Sequence, residues 1–176
     1  MTLNADIKIV TNRLVLQPVN EIYIDEINKN FTKDITTYMP YEPIGNREDT
    51  VNFVSSSIEN LNMQKEIVFV ILDKTTKNFI GCCGIHNINS ESVEVGLWIK
   101  KDLQSNGLGT EIVTCLVKFI EDNFSINYII YPVDEKNIRS RKIPEKLGFE
   151  EFTRYTKPKN KTEVLNTIEY RKYYNN

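Results

Sequence analysis

Glu94-Val95-Gly96-Leu97-Trp98-Ile99-Lys100 runs through Lys101-Asp102-Leu103 into Gln104-Ser105-Asn106-Gly107-Leu108-Gly109-Thr110, and this stretch decides the fold. From Ser92 to Lys100 the alternation sets Val93, Val95, Leu97 and Ile99 on one face and Glu94, Gly96 and Trp98 on the other, which predicts a strand. Beyond the glycines, Leu108, Ile112, Cys115, Leu116 and Phe119 recur at helical spacing. A strand therefore passes through a glycine turn into a helix. Gly107 and Gly109 let backbone N–H groups converge on an anion at the positive end of that helix, and a pyrophosphate is the natural ligand. The third glycine of a dinucleotide fingerprint is absent, as is the Lys-Ser/Thr of a nucleotide-hydrolysing loop, so both of those ligand classes lose support.

Working outward, Tyr128 to Val133 reads as the next strand and Asn137 to Leu147 as the next helix, with Gly148 as its C-terminal stop. The chain closes on β-like segments near Glu151 to Tyr155 and Val164 to Tyr173. Upstream, the apolar runs Ile67 to Leu72 and Phe79 to His86 flank the polar turn Asp73 to Asn78, which predicts a hairpin. Earlier still lie a short strand at Leu14-Val15-Leu16 and a helix over Glu21 to Phe31. A second helix is marked by Val51, Phe53, Val54, Ile58 and Leu61. Between the helices, the two prolines of Tyr38-Met39-Pro40-Tyr41-Glu42-Pro43 forbid regular structure, and the aromatics suit a pocket wall. A meander feeding a strand, helix, strand, helix unit is an α+β order, in one domain over residues 1–176.

Composition removes several function classes. The chain has 176 residues, 40% apolar and 26% charged, with a net charge of −2. A protein that neutralises nucleic-acid phosphates needs a basic surplus on one face, and here lysines are scattered, so no direct nucleic-acid binding is expected. No apolar run approaches the roughly 18 residues of a membrane span, and the N-terminus lacks the basic start and apolar core of a secretory signal. Cytoplasmic location and no membrane association are the expectations. Cys82, Cys83 and Cys115 suit neither a disulfide framework nor zinc-ligand spacing, and read as buried thiols with no metal. With His86 the only histidine, any mechanism needing a His pair is excluded.

Taken together, the motifs resemble the GNAT N-acetyltransferases, in particular their RimJ/RimL-like branch. Gln104-x-x-Gly107-x-Gly109 resembles the family's Q/R-x-x-G-x-G/A pyrophosphate loop. Thr11-Asn12-Arg13-Leu14-Val15-Leu16 resembles the branch's opening strand, Tyr38-Met39-Pro40-Tyr41 its loop, and Glu94-Val95-Gly96-Leu97-Trp98-Ile99 its central strand. Asn137-x-x-Ser140 followed by Pro144-Glu145-Lys146-Leu147-Gly148-Phe149 resembles its ending. The matches run in the family's order over nearly the whole chain.

The resemblance implies a GNAT fold, a single α+β domain with a mixed, mostly antiparallel sheet of about seven strands flanked by helices. It implies acetyl-CoA as co-substrate, with no metal, and direct acetyl transfer to a primary amine on a small molecule, peptide or protein. Cofactor contacts are implied for Leu97, Trp98, Ile99, Gln104, Ser105, Asn106, Gly107, Leu108, Gly109, Thr110, Asn137 and Ser140. The backbone N–H of Ile99 would polarise the carbonyl, Asn137 would hold the pantetheine arm, and Ser140 would assist the departing thiolate. Glu94 is the expected base, through a water, and Tyr38, Met39, Tyr41 and His86 the expected acceptor contacts. A homodimer is compatible with the branch.

Four positions depart from the pattern. Ser105 stands where the family usually has Gly, Lys101 where it often has Pro, and Gln104 removes a loop cation. Pro144 occupies the place of the helix tyrosine that protonates the thiolate in other members, which leaves Ser140 as the alternative. Each site residue also has a plainer reading. Glu94 could be a cross-strand partner of a lysine, Ser140 a helix cap, His86 a structural rim group, Trp98 a core residue, and the Tyr38-Met39-Tyr41 group mere packing. A non-catalytic acyl-CoA-binding module is the rival to the enzyme.

Overall fold

A computed structural model describes residues 2–43 and 45–174. Its described strands and α-helices are β1 (Ile9–Val10), β2 (Leu14–Pro18), α1 (Ile24–Asn30), α2 (Arg47–Asn62), β3 (Ile67–Asp73), β4 (Phe79–His86), β5 (Ser92–Ile99), α3 (Leu108–Asn123), β6 (Tyr128–Asp134), α4 (Ile138–Lys146), β7 (Glu150–Pro158) and β8 (Val164–Tyr173). Among the described residues they build one eight-stranded sheet in the order β1-β2-β3-β4-β5-β6-β8-β7. The strand beyond the seven expected is β1, whose two residues are too few to show a period. The helix expected over Glu21 to Phe31 begins as a 3-10 turn, Glu21–Tyr23, capped by Asn20, before α1 takes over.

β3 and β4 are buried on both faces, which is why they read as continuous apolar runs with no alternation. Two cores flank them. On one side Leu16, Phe69, Ile85 and Val95 pack with Ile112, Leu116 and Ile120 of α3. On the other Val68, Val70 and Cys82 pack with Ile24 and Ile27 of α1 and Val54 of α2. The alternation of β5 is realised: Val93, Val95 and Ile99 enter the first core with Leu97 packed against it, while Trp98 packs on the second.

All neighbouring strands run antiparallel except β5 and β6, which pair in parallel over Ser92–Glu94 against Tyr128–Ile130 and no further. Beyond Glu94 the two strands separate into a wedge. No described helix is long and apolar enough to cross a membrane.

Candidate active site

The wedge exposes one edge of β5. Lys100 donates its N–H to Ile80 O at 2.8 Å, so strand alternation points the backbone of Lys100, Trp98 and Gly96 toward β4 and that of Ile99 and Leu97 into the wedge. Gln104 Nε2 donates to Ile99 O at 3.0 Å and so ties the loop to this edge. The Ile99 N–H is thus presented on a strand fixed from both sides.

The glycine loop is held by two hydrogen bonds. Asn106 Nδ2 donates to Leu103 O at 3.3 Å, and Arg13 Nη1 donates to Asn106 O at 2.9 Å. Arg13 is itself anchored by its Nε on Glu111 Oε2 at 2.6 Å, and Thr11 Oγ1 donates to Glu111 Oε1 at 2.6 Å. Burial works to raise the Glu111 pKa, but hydrogen bonds from Thr11 and from the Arg13 backbone and side chain outweigh it and leave it lowered. Ser105 and Gly107 both adopt left-handed backbone, φ 71° and 75°, a conformation that glycine takes readily and serine does not. Gly109 serves packing: a Cβ there would stand 2.9 Å from Ile143 Cδ1, so its absence lets α3 close on α4 and β5. α3 has no side-chain cap, whereas α2 and α4 are capped by Asn46 and Asn137. Its first-turn N–H groups lack a side-chain acceptor.

Across the wedge, Asn137 Oδ1 accepts the Ser140 N–H at 3.2 Å, so Asn137, and not Ser140, caps α4. Ser140 Oγ lies 2.7 Å from Tyr131 Oη. Burial pushes the Tyr131 pKa up to about 12, so this phenol stays protonated at neutral pH. Pro144 sits inside α4 and has no N–H to give the Ser140 carbonyl four residues earlier.

A cavity of about 810 Å³ runs from Tyr131, Asn137 and Ser140 past Gly96 to the Tyr38–Pro43 loop. Its far wall is a row across three neighbouring chain segments: Glu66 just before β3, His86 at the end of β4 and Glu94 on β5. His86 Nδ1 lies 2.6 Å from Glu66 Oε2, and Asn87 Nδ2 donates to Glu94 Oε2 at 3.3 Å. The hydrogen bond to His86 lowers the Glu66 pKa. Tyr41 keeps 53% of its surface exposed, yet its hydroxyl end is desolvated beside Glu94 and Glu66, and its pKa is raised. Asp49 Oδ2 lines the same cavity, buried and without a described hydrogen-bond partner.

An Acetyltransferase (GNAT) domain model matches residues 13–150. The chain belongs to the GNAT acetyltransferase family. A Bacillus subtilis protein provisionally named ribosomal N-acetyltransferase YdaF is 27% identical over 71 residues, which span 39% of this chain and 39% of that protein. Two solved structures share the fold. RimL, a ribosomal L7/L12 alpha-N-protein acetyltransferase in complex with coenzyme A, has TM-score 0.83 at 13% identity over 94% of this chain and 96% of its own. Spermidine N-acetyltransferase from Vibrio cholerae, in complex with CoA and spermine, has TM-score 0.81 at 18% identity over 93% and 96%.

In this GNAT domain Leu97, Asn137 and Ser140 line the same cavity as Tyr38, Met39, Tyr41, His86 and Glu94. Ile99 and the 104–110 loop lie outside that lining and continue from Leu97 beyond the unpaired stretch of β5 into α3. Trp98 lines the cavity, and its ring packs on Phe31 and Phe79, centroids 5.3 and 5.8 Å away. The backbone of Leu108 opens α3 but its side chain is buried in the core. Sequence reasoning missed Tyr131, Glu66, Arg13 and Asp49. Only Arg13 carried a signal, its place in the opening-strand motif. The others come to the site by strand pairing and packing.

Proposed function

We propose that this GNAT domain transfers acetyl from acetyl-CoA to a primary amine bearing positive charge. One observation carries the reading: a single cavity joins the open β5 edge and the Tyr131–Ser140 pair to a wall of carboxylates. The donor side fits the co-substrate. The uncapped first turn of α3 and the braced loop supply N–H donors for a pyrophosphate, and Asn137 and the β5 edge flank the wedge that the pantetheine arm would follow. Acetyl-CoA supplies a thioester; everything else is done by the chain.

The Ile99 N–H, rigid on β5, polarises the acyl carbonyl as negative charge gathers on its oxygen. The protonated Tyr131 phenol and Ser140 hydroxyl, 2.7 Å apart, donate toward the departing sulfur, taking the role of the tyrosine that Pro144 replaces. Glu94 and Asp49 draw in the ammonium group, and its proton leaves toward the Glu66–His86–Glu94 row. Holding amine and thioester in one cavity supplies the proximity advantage without a covalent intermediate.

The cavity wall carries Glu42, Asp49, Glu66, Glu94 and Asp134 against Lys157 among the described residues, and this charge balance supports a cationic acceptor. The test is thiol release from acetyl-CoA with alkyl diamines, uncharged-tail alkylamines of equal length and N-terminal peptides. Diamines or basic peptides should exceed the uncharged-tail amines by about tenfold in kcat/KM, with the margin shrinking as salt rises. Binding of acetyl-CoA without thiol release for any acceptor would overturn the enzyme and leave a binding module.

A further inference from the structure

The glycines of β4 and β5 that no phosphate uses have an unusual arrangement. Gly84 and Gly96 are direct partners across the two strands, and the His86 imidazole covers both. A Cβ on Gly84 would stand 2.5 Å from His86 Nε2, and one on Gly96 would stand 3.7 Å from it. The ring thus lies over a strip of backbone without side chains. Its other nitrogen, Nδ1, is engaged by Glu66, which is in turn steadied by Asn60 Nδ2 of α2 at 3.3 Å.

We infer that His86 is the proton acceptor for the amine, that Glu66 is the positioning residue which fixes its tautomer, and that Glu94 anchors the ammonium. The inference rests on the acetyl-transfer reading above and names the residue that serves it. An ionised Glu66 accepts only, so it selects the tautomer with hydrogen on Nδ1 and leaves the Nε2 lone pair facing the cavity. The hydrogen bond from His86 keeps Glu66 ionised. An imidazole is ordinarily better matched to neutral pH than a carboxylate, which favours it as general base.

Nε2 takes one proton from the ammonium and returns it to solvent. The freed nitrogen pair bonds to the acyl carbon, the carbon–sulfur bond breaks with its electrons on sulfur, and the second nitrogen proton reaches that sulfur. The charged and titratable groups facing the ring are Glu66 before β3, Glu94 on β5, Tyr41 from the loop and, on α2, Asp49 in the same cavity.

His86 is the only histidine, so protein labelled with nitrogen-15 histidine gives one pair of ring signals. Above the imidazole titration, Nδ1 should carry the hydrogen and Nε2 should be bare, the reverse of free histidine's preference in water. Glu66→Gln should lose that bias. A wild-type ring protonated on Nε2 overturns the inference, and this readout needs neither turnover nor a variant that folds. In pH profiles of kcat/KM with one diamine, His86→Gln should fall about 10²-fold and change the shape of the profile, while Glu66→Gln should fall less and keep a base-dependent limb. A His86→Gln profile superimposable on wild type overturns the inference. Wild-type failure to release thiol at all would instead strike the acetyl-transfer reading, which the variants do not address.

Discussion

Gly81 and Gly84 lie three residues apart on one strand, and identical substitutions there should have opposite consequences. A Cβ added at Gly81 would meet Trp98 O at 2.1 Å and Ile99 Cα at 3.0 Å, which are backbone atoms of a fixed neighbouring strand. The three nearest atoms to a Cβ added at Gly84 all belong to the His86 ring, a side chain that can swing away. Gly81→Ala should therefore cost about 3 kcal/mol or more and lower Tm by roughly 6–12 °C. Gly84→Ala should leave Tm within about 3 °C while kcat/KM drops about tenfold, because the ring leaves its seat. Equal losses of Tm in the two variants would refute this division. The left-handed Ser105 and Gly107 make a related point: the loop's shape is set by backbone energetics, and its chemistry by N–H groups that no side chain supplies.

At the scale of elements, the site is an alignment of ends. The turn into β2 sends Arg13 to the loop before α3, and Glu111 in the first turn of α3 holds it there. The pair is partly exposed, so its direct worth to stability is small. Its consequence is preorganisation, since a loop that must be ordered by its ligand weakens binding. Arg13→Ala should raise the Kd for coenzyme A about tenfold by calorimetry while Tm falls by no more than a few degrees. Asn137 has a double duty. Its Oδ1 caps α4, so Asn137→Ala should cost about 1 kcal/mol, read as a Tm decrease of about 2–4 °C. The same change should misplace Ser140 relative to Tyr131 and depress kcat more than it raises KM.

At the scale of the whole molecule, two carboxylates tie distant segments together: Glu66 joins the α2–β3 junction to β4, and Glu111 joins α3 to the start of β2. Both have pKa values lowered from the ordinary 4.5. A depressed folded-state pKa contributes stability that is present above the unfolded value and lost as pH falls through the folded one. Tm should accordingly hold steady above about pH 5 and fall below about pH 4.5. Glu111→Gln should lower Tm at pH 7 by about 2–4 °C and flatten the acid decline, measured by thermal melts from pH 7 to 3. A decline as steep in the variant as in the wild type would assign acid sensitivity elsewhere.

Much of this architecture is local in origin and was legible. The alternation of Ser92–Ile99, the glycine turn and the helical period after Leu108 predict β5, the loop and α3, because period and turn chemistry act over a few residues. The apolar runs predict β3 and β4, with Cys82 and Cys83 buried as expected. The two-residue β1 and the fully exposed β7, which begins one residue before and ends three residues beyond the expected segment, were less visible, since an edge strand needs no buried face.

By itself, then, the sequence determined the elements, their order and the donor-side loop, through short-range periodicity, glycine conformation and motif spacing. Only the tertiary structure decided which side chains meet. Ser140 finds Tyr131, Arg13 finds Glu111 and Asn106, and Glu66, His86 and Glu94 form one row, over separations of 9 to 98 residues in the hydrogen-bonded pairs. Strand register and helix docking set those encounters, and both are fixed by burying the two cores as a whole, a sum over many residues that no single window of sequence contains.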